Sequence, residues 1–215
     1  MTHEDTMGMQ PIAMALASLL LISACAPSRP SWPCSDCELA PPVPVQTMIT
    51  IPVTRSLQGH TLHLRASYDV TALVRHVRGY DHWWYHDSMG SLVPYDAVLA
   101  WGPSSNPQQV RNFTVRQFGR YYTWHSDGPI SPDRARMFSE SMANTHLIPA
   151  NEELRGKLDL LEPGQVVRLE GYLVDVEGPD MPRMLRTSLT RQDQGIGACE
   201  VMLVVDVTIL SHGDL

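Results

Sequence analysis

Between Pro163-Gly164 and Gly178-Pro179 the chain alternates with a period of two. Val166, Arg168, Glu170, Tyr172, Val174 and Val176 fall on one face of an extended segment, and Val167, Leu169, Gly171, Leu173 and Asp175 on the other. Bounded by turn residues and rich in β-branched side chains, this is the signature of a half-buried strand. The same signals predict strands over Met184–Arg191 and Cys199–Leu210, and earlier over Val45–Thr54 and His60–Tyr68, with Gln58-Gly59 as a turn and Val70–Val77 continuing in the same style. Ser91–Pro103 reads as a helical turn or a strand ending at Trp101-Gly102, and Phe113–Trp124 as two strand pieces about Gly119. Ser131, with Pro132 at the first helical position, caps a short helix running to about Met142; Ala143–Ala150 is extended; Asn151 caps a second helix over Glu152–Leu161. The expected fold is mainly β: one OB-like small β-barrel with two short helices, spanning residues 45–215, or alternatively a β-sandwich.

The N-terminal part follows different rules. Met14–Ala24 is an uncharged apolar run, too short for the roughly 20 residues a bilayer span takes, but suited to the apolar region of a signal peptide. It ends Ile22-Ser23-Ala24-Cys25, which resembles the bacterial lipoprotein signal: residues 1–24 are the expected signal peptide and Cys25 the acylated new N-terminus. Residues 1–13 hold no Lys or Arg, a departure that a start at Met7, Met9 or Met14 would remove. Residues 25–44 form the anchor and a stiff linker, with prolines at 27, 30, 33, 41 and 42 before Pro44. Because Ala26 follows Cys25, resemblance to the sorting rule implies the outer membrane, with the domain facing the periplasm. The partner expected from this part of the chain is therefore a lipid bilayer, reached through the acylated Cys25.

Composition narrows the function. With 215 residues, net charge −7 and pI near 5.6, the chain lacks the basic balance of a nucleic-acid binder. Lys157 is the only lysine among 16 cationic residues. Once Cys25 is acylated, Cys34, Cys37 and Cys199 remain as possible disulfide partners. Cys34-Ser-Asp-Cys37 sits among prolines, without the second ligand pair a zinc site needs. No metal or other cofactor is expected.

The densest polar-aromatic cluster is Tyr80–Asp87. His82 and His86 would share a helix face and could chelate, whereas on a strand they stand about 13 Å apart. Trp83, Trp84 and Tyr85, with His82 and His86, form the expected binding surface, the alternative being a loop that closes one end of the barrel.

Several downstream segments carry a resemblance. Trp101-Gly102, Tyr121-Tyr122-x-Trp124, Ala143-Asn-Thr-His146-Leu-Ile-Pro-Ala150, Val167-Arg168-Leu-Glu-Gly-Tyr-Leu-Val174 and Ser188-Leu-Thr-Arg191-x-Asp193-x-Gly195-x-Gly197-Ala-Cys199-Glu200 resemble a family of uncharacterised bacterial envelope proteins. The resemblance spans roughly residues 68–205 and implies that His146, Arg168, Arg191, Asp193 and Cys199 are fixtures of one β-rich domain; it transfers no catalytic role. Read from the residues, Ser188, His146 and Asp193 could compose a triad, but no Gly-x-Ser-x-Gly elbow is present. Cys199 with His146 is the other nucleophile pair. The functional expectation is a non-enzymatic interaction module for another envelope protein, with no residue assigned to catalysis; the alternative is an envelope hydrolase using His146 or Cys199.

Overall fold

The computed structural model describes residues 43–80, 89–179, 181–193, 195 and 197–211. Eight strands are present among them: β1 (Val45–Leu57), β2 (His60–Gly79), β3 (Tyr95–Ala100), β4 (Phe113–Phe118), β5 (Tyr121–Ser126), β6 (Met142–Pro149), β7 (Val166–Glu177) and β8 (Glu200–Ser211). The helices are a single turn α1 (Pro107–Val110), then α2 (Pro132–Glu140) and α3 (Glu152–Leu158). The caps are those the sequence predicts: the Ser131 hydroxyl accepts from the Arg134 amide and the Asn151 side chain from the Leu154 amide.

β2 organises the sheet. Its first part pairs with β1 on one side and β7 on the other, and its last residues pair with β3. β3 pairs with β6, β6 with β8 and β8 with β7, so β2-β3-β6-β8-β7 return to β2 as a ring of strands. Every pairing is antiparallel except β6–β8, and α3 lies between β6 and β7 in sequence. The mainly β, OB-like expectation therefore holds, with β1 as an added strand outside the ring. Two expected elements differ. Val45–Thr54 extends to Leu57, and His60–Val77 is one continuous strand to Gly79. Met184–Arg191 forms no strand: only Leu185 makes a bridge, to Val176. The hydroxyls of Thr187, Ser188 and Thr190 bond instead to nearby backbone, a local alternative to a ladder.

The ring's core takes Ala66, Tyr68, Val70 and Ala72 from β2, Val167, Leu169 and Leu173 from β7, and Leu147, Met202 and Val204 from β6 and β8, closed by Leu154 and Leu158 of α3. Alternation then places Asp96, Val98 and Ala100 of β3, and Asn144, His146 and Ile148 of β6, on the opposite face. That face is covered too. The β4–β5 hairpin packs over Val98, Ala100 and Met142 through Val115, Tyr122 and Trp124. Ile148, Val201 and Leu203 lie under Leu92, Val93, Met181 and Leu185. Between these two apolar patches is a strip of buried polar residues.

Candidate functional site

β3 and β6 are buried at every position, and strands of that kind ordinarily read as apolar runs. Here Asp96 and His146 interrupt the runs and stand directly opposite each other in the β3–β6 register. Asp96 is fully buried, so its charge requires partners. Among its partners, Nδ1 of His146 lies 2.7 Å from Oδ1, and Nη1 of Arg120 lies 2.9 Å from the same oxygen. The carboxylate can only accept, so the imidazole Nδ1 carries the hydrogen. Arg120, in the β4–β5 turn just before β5, also donates to the Val93 carbonyl at 3.1 Å and stacks on the Tyr80 ring at 4.0 Å. The Tyr80 hydroxyl donates to the Gly119 carbonyl, fixing the hairpin tip; burial and the neighbouring Asp96 charge push this phenol upward.

The Cys199 thiol is the other polar neighbour of the His146 ring, lining the same cleft, and its Sγ lies 3.9 Å from the Arg120 carbonyl, to which it donates. Burial alone would push the imidazole down. The hydrogen bond to Asp96 and the neighbouring Cys199, with the charges of both, outweigh burial and raise it to about 9. Cys199, one of the three cysteines expected to be available for a disulfide, carries a free, half-buried thiol. It sits immediately before β8, the strand that runs parallel to β6. Its backbone is clamped: the Ser188 amide donates to the Cys199 carbonyl at 2.9 Å, and the Val201 amide donates to the Thr187 hydroxyl at 3.0 Å. Ser188 itself donates to the Thr190 carbonyl, so it is committed to local structure and not to a triad with His146. The Asn144 amide nitrogen lies 3.7 Å from Sγ of Cys199 and 3.1 Å from the Arg120 carbonyl. Gln117 fixes which end of that amide faces the sulfur, because its Nε2 donates to Asn144 Oδ1 at 2.6 Å while its Oε1 meets Nδ1 of His76 at 2.8 Å. Tyr122 borders the same sulfur; burial first, then the Cys199 charge, pushes it up to about 12.

Two clefts meet at the thiol. One, of about 610 Å³, is lined by Arg120 and His146 and by Met181–Arg186; the other, of about 370 Å³, by Tyr122, Trp124, Arg191 and Asp193; Tyr121 and Cys199 border both. Next to Cys199, the buried Glu200 is ion-paired with Arg191, whose guanidinium lies 5.6 Å from the Tyr68 and Trp101 ring centres. Arg168 stands on the exposed face of β7, bidentate to Asp69 at 3.1 and 2.7 Å, away from the thiol.

The structure thus joins His146 and Cys199, and places Arg191 and Asp193 at the rim. His82, Trp83, Trp84, Tyr85 and His86, and likewise Cys25, Cys34 and Cys37, lie outside the described residues. Among the described residues, no group of three potential ligands could hold a metal. Asp96, Arg120 and Asn144 escaped the sequence reading. The available signal was a charged or amide residue inside an otherwise apolar strand, as in Tyr95-Asp96-Ala97-Val98. Comparison with family models, curated proteins and solved structures finds no match to this chain.

Proposed function

We propose that this chain is a lipid-anchored envelope protein whose β-rich domain carries a cysteine nucleophile for acyl transfer, hydrolysis being its simplest outcome. The observation that supports the reading is the line Asp96–His146–Cys199: a base oriented by a buried carboxylate at 2.7 Å, with the thiol beside it in the same cleft. Cys199 is the nucleophile and His146 the general base and acid; Asp96 is a positioning residue, itself held by Arg120. In the first step His146 holds the thiol proton, and the thiolate attacks the substrate carbonyl carbon. As the tetrahedral adduct collapses, the bond to the leaving group breaks and the His146 imidazolium protonates that group, leaving a thioester on Cys199. Water or another nucleophile then attacks the thioester, gives its proton to His146, and releases the acyl product and the thiolate.

The address comes from Ile22-Ser23-Ala24-Cys25: acylation of Cys25 would hold the domain at the outer membrane on its proline-rich tether, facing the periplasm. An interaction surface at Trp83, Trp84 and Tyr85 is compatible with the same domain, but the buried charge line favours the thiol chemistry. The test is the rate at which iodoacetamide alkylates Cys199 at pH 6.5. An imidazolium beside a thiol promotes the reactive thiolate, so the rate should fall about tenfold or more in His146→Ala, with no labelling at position 199 in Cys199→Ala. Equal rates in wild type and His146→Ala, both folded, would remove the nucleophile reading.

A further inference from the structure

The two clefts that meet at Cys199 differ in charge. On the side of Tyr122 and Trp124 the arginine is Arg191, which the buried Glu200 neutralises, and the exposed Asp193 adds an acid. The larger cleft is unlike this. Its described lining residues include Arg120, Arg183 and Arg186 and no carboxylate, in a chain whose net charge is −7. Arg120 is tied to Asp96 and belongs to the thiol machinery. Arg183 and Arg186 do not. Both are exposed, and Arg183 has no ion pair or hydrogen bond among the described residues. Arg186 reaches the buried Asp175 only at 3.8 Å, and that carboxylate is already bonded to Arg65 at 3.1 Å and to the Thr187 amide at 3.0 Å. Positive charge is therefore left over at this cleft. Between the arginines stand Met184 and Leu185, with Met89 and Met181 nearby, giving apolar side chains that can lie along a flexible hydrocarbon.

Resting on the thiol reading above, we propose that this cleft is an anion-selecting subsite, and that the substrate presented to Cys199 carries a carboxylate on an apolar chain on that side of its reactive carbonyl. Arg183 and Arg186 recognise the carboxylate, the guanidinium fork matching its two oxygens. The methionines and Leu185 take the chain, and Tyr121 marks the crossing from one cleft to the other. The paired Arg191–Glu200 on the far side offers no net charge, so the polarity of the substrate is fixed: its anionic portion lies toward 181–186 and its uncharged portion toward Tyr122 and Trp124.

Two alkylating probes of nearly the same size separate this inference from the one beneath it. Iodoacetate and iodoacetamide react identically, the thiolate sulfur displacing iodide from the methylene carbon, and differ only in the carboxylate. The measured quantity is the ratio of their rates at Cys199, relative to the same ratio for a free cysteine peptide. In the wild-type chain that relative ratio should exceed one. In Arg183→Glu/Arg186→Glu it should fall by about tenfold, the low end of what a cleft of one charge sign produces, and the difference should shrink in 0.5 M salt, where the screening length is about 4 Å. A change in the thiolate fraction alters both rates alike and cancels in the ratio, so a measurable iodoacetamide rate reports that the thiol site is intact. The neutral pair Arg183→Gln/Arg186→Gln should move the ratio in the same direction by less, and it decides the matter if the charge reversal disturbs folding. An unchanged ratio with a normal iodoacetamide rate would overturn the anionic subsite and leave the reactive thiol standing. Silence toward both reagents in folded wild-type protein would sink the thiol reading, and this inference with it.

Discussion

Asp96 carries the greatest consequence of any single side chain in this domain. A buried carboxylate is costly unless its partners are close and well directed, and here His146 and Arg120 share one of its oxygens at 2.7 and 2.9 Å. The arrangement links protonation to folding. His146 is held up to about 9 in the folded chain, against about 6.5 for an ordinary histidine. A group raised on folding contributes stability that is fully present below its unfolded value and is lost as pH climbs through the folded value. The window is therefore pH 6.5 to 9. Urea unfolding of the wild-type chain should show stability falling across that window by up to on the order of 3 kcal/mol, whereas His146→Gln, which cannot ionise, should lack this component. A wild-type profile parallel to that of His146→Gln would mean that the imidazole is neutral and that Asp96 is satisfied by Arg120 alone. This part of the site was half legible. His146 and Cys199 stood out as chemically capable residues, but their meeting depends on the parallel β6–β8 pairing between segments some fifty residues apart, which periodicity does not encode. Asp96 and Asn144 were hidden for a different reason: their polarity, read along the chain, resembles an exposed position, and only the covering hairpin buries them.

At the scale of elements, the alternating pattern of β7 did predict its faces. Val167, Leu169 and Leu173 point into the ring's core as the period of two requires. Gly171, between them, has a specific cause. A Cβ built on it would stand 2.0 Å from the Leu203 carbonyl oxygen and 3.2 Å from Cα of Val204, both backbone, at the point where the β7–β8 register shifts. No rotamer can relieve a clash with backbone, so β8 would have to move. Gly171→Ala should therefore destabilise the domain by about 2 kcal/mol or more, with a shift of the β8 amide signals that a surface substitution such as Gly128→Ala, which meets nothing within 4 Å, does not produce. Tolerance of alanine at 171 would mean that the two strands do not approach this closely. The failure at Met184–Arg191 has the same teaching value in reverse. Its residues have strand-like composition, yet Thr187, Ser188 and Thr190 satisfy local backbone and hold Cys199 in place. Composition alone cannot tell a hydroxyl that faces a neighbouring strand from one that turns back on its own chain.

Across the whole molecule, the ring of strands and the N-terminal segment make separate demands. The ring's order was legible as a class because short strands with a helix before the last pair favour one architecture; the inserted hairpin β4–β5, which roofs the site, was legible only as two strands about Gly119. β1 then links the two parts of the chain. It leaves residues 43–45 next to the tether, lies outside the ring, and through Gln46 bonds to the Leu189 carbonyl and to Arg191, the arm that leads to Cys199. Among the described residues no helix is long and apolar enough to cross a membrane. Under the proposed address the anchor is the set of acyl chains at Cys25. Roughly 0.8 kcal/mol per buried methylene makes two or more chains an effectively permanent anchor. In a bacterial host, the wild-type chain should then partition with the detergent phase, and Cys25→Ser should move to the aqueous phase. Iodoacetamide should label Cys199 at the same rate in both, because the domain's chemistry is built entirely from residues beyond the tether. Membrane retention of Cys25→Ser would place the anchor elsewhere in the chain. A changed labelling rate would instead make the bilayer part of the site.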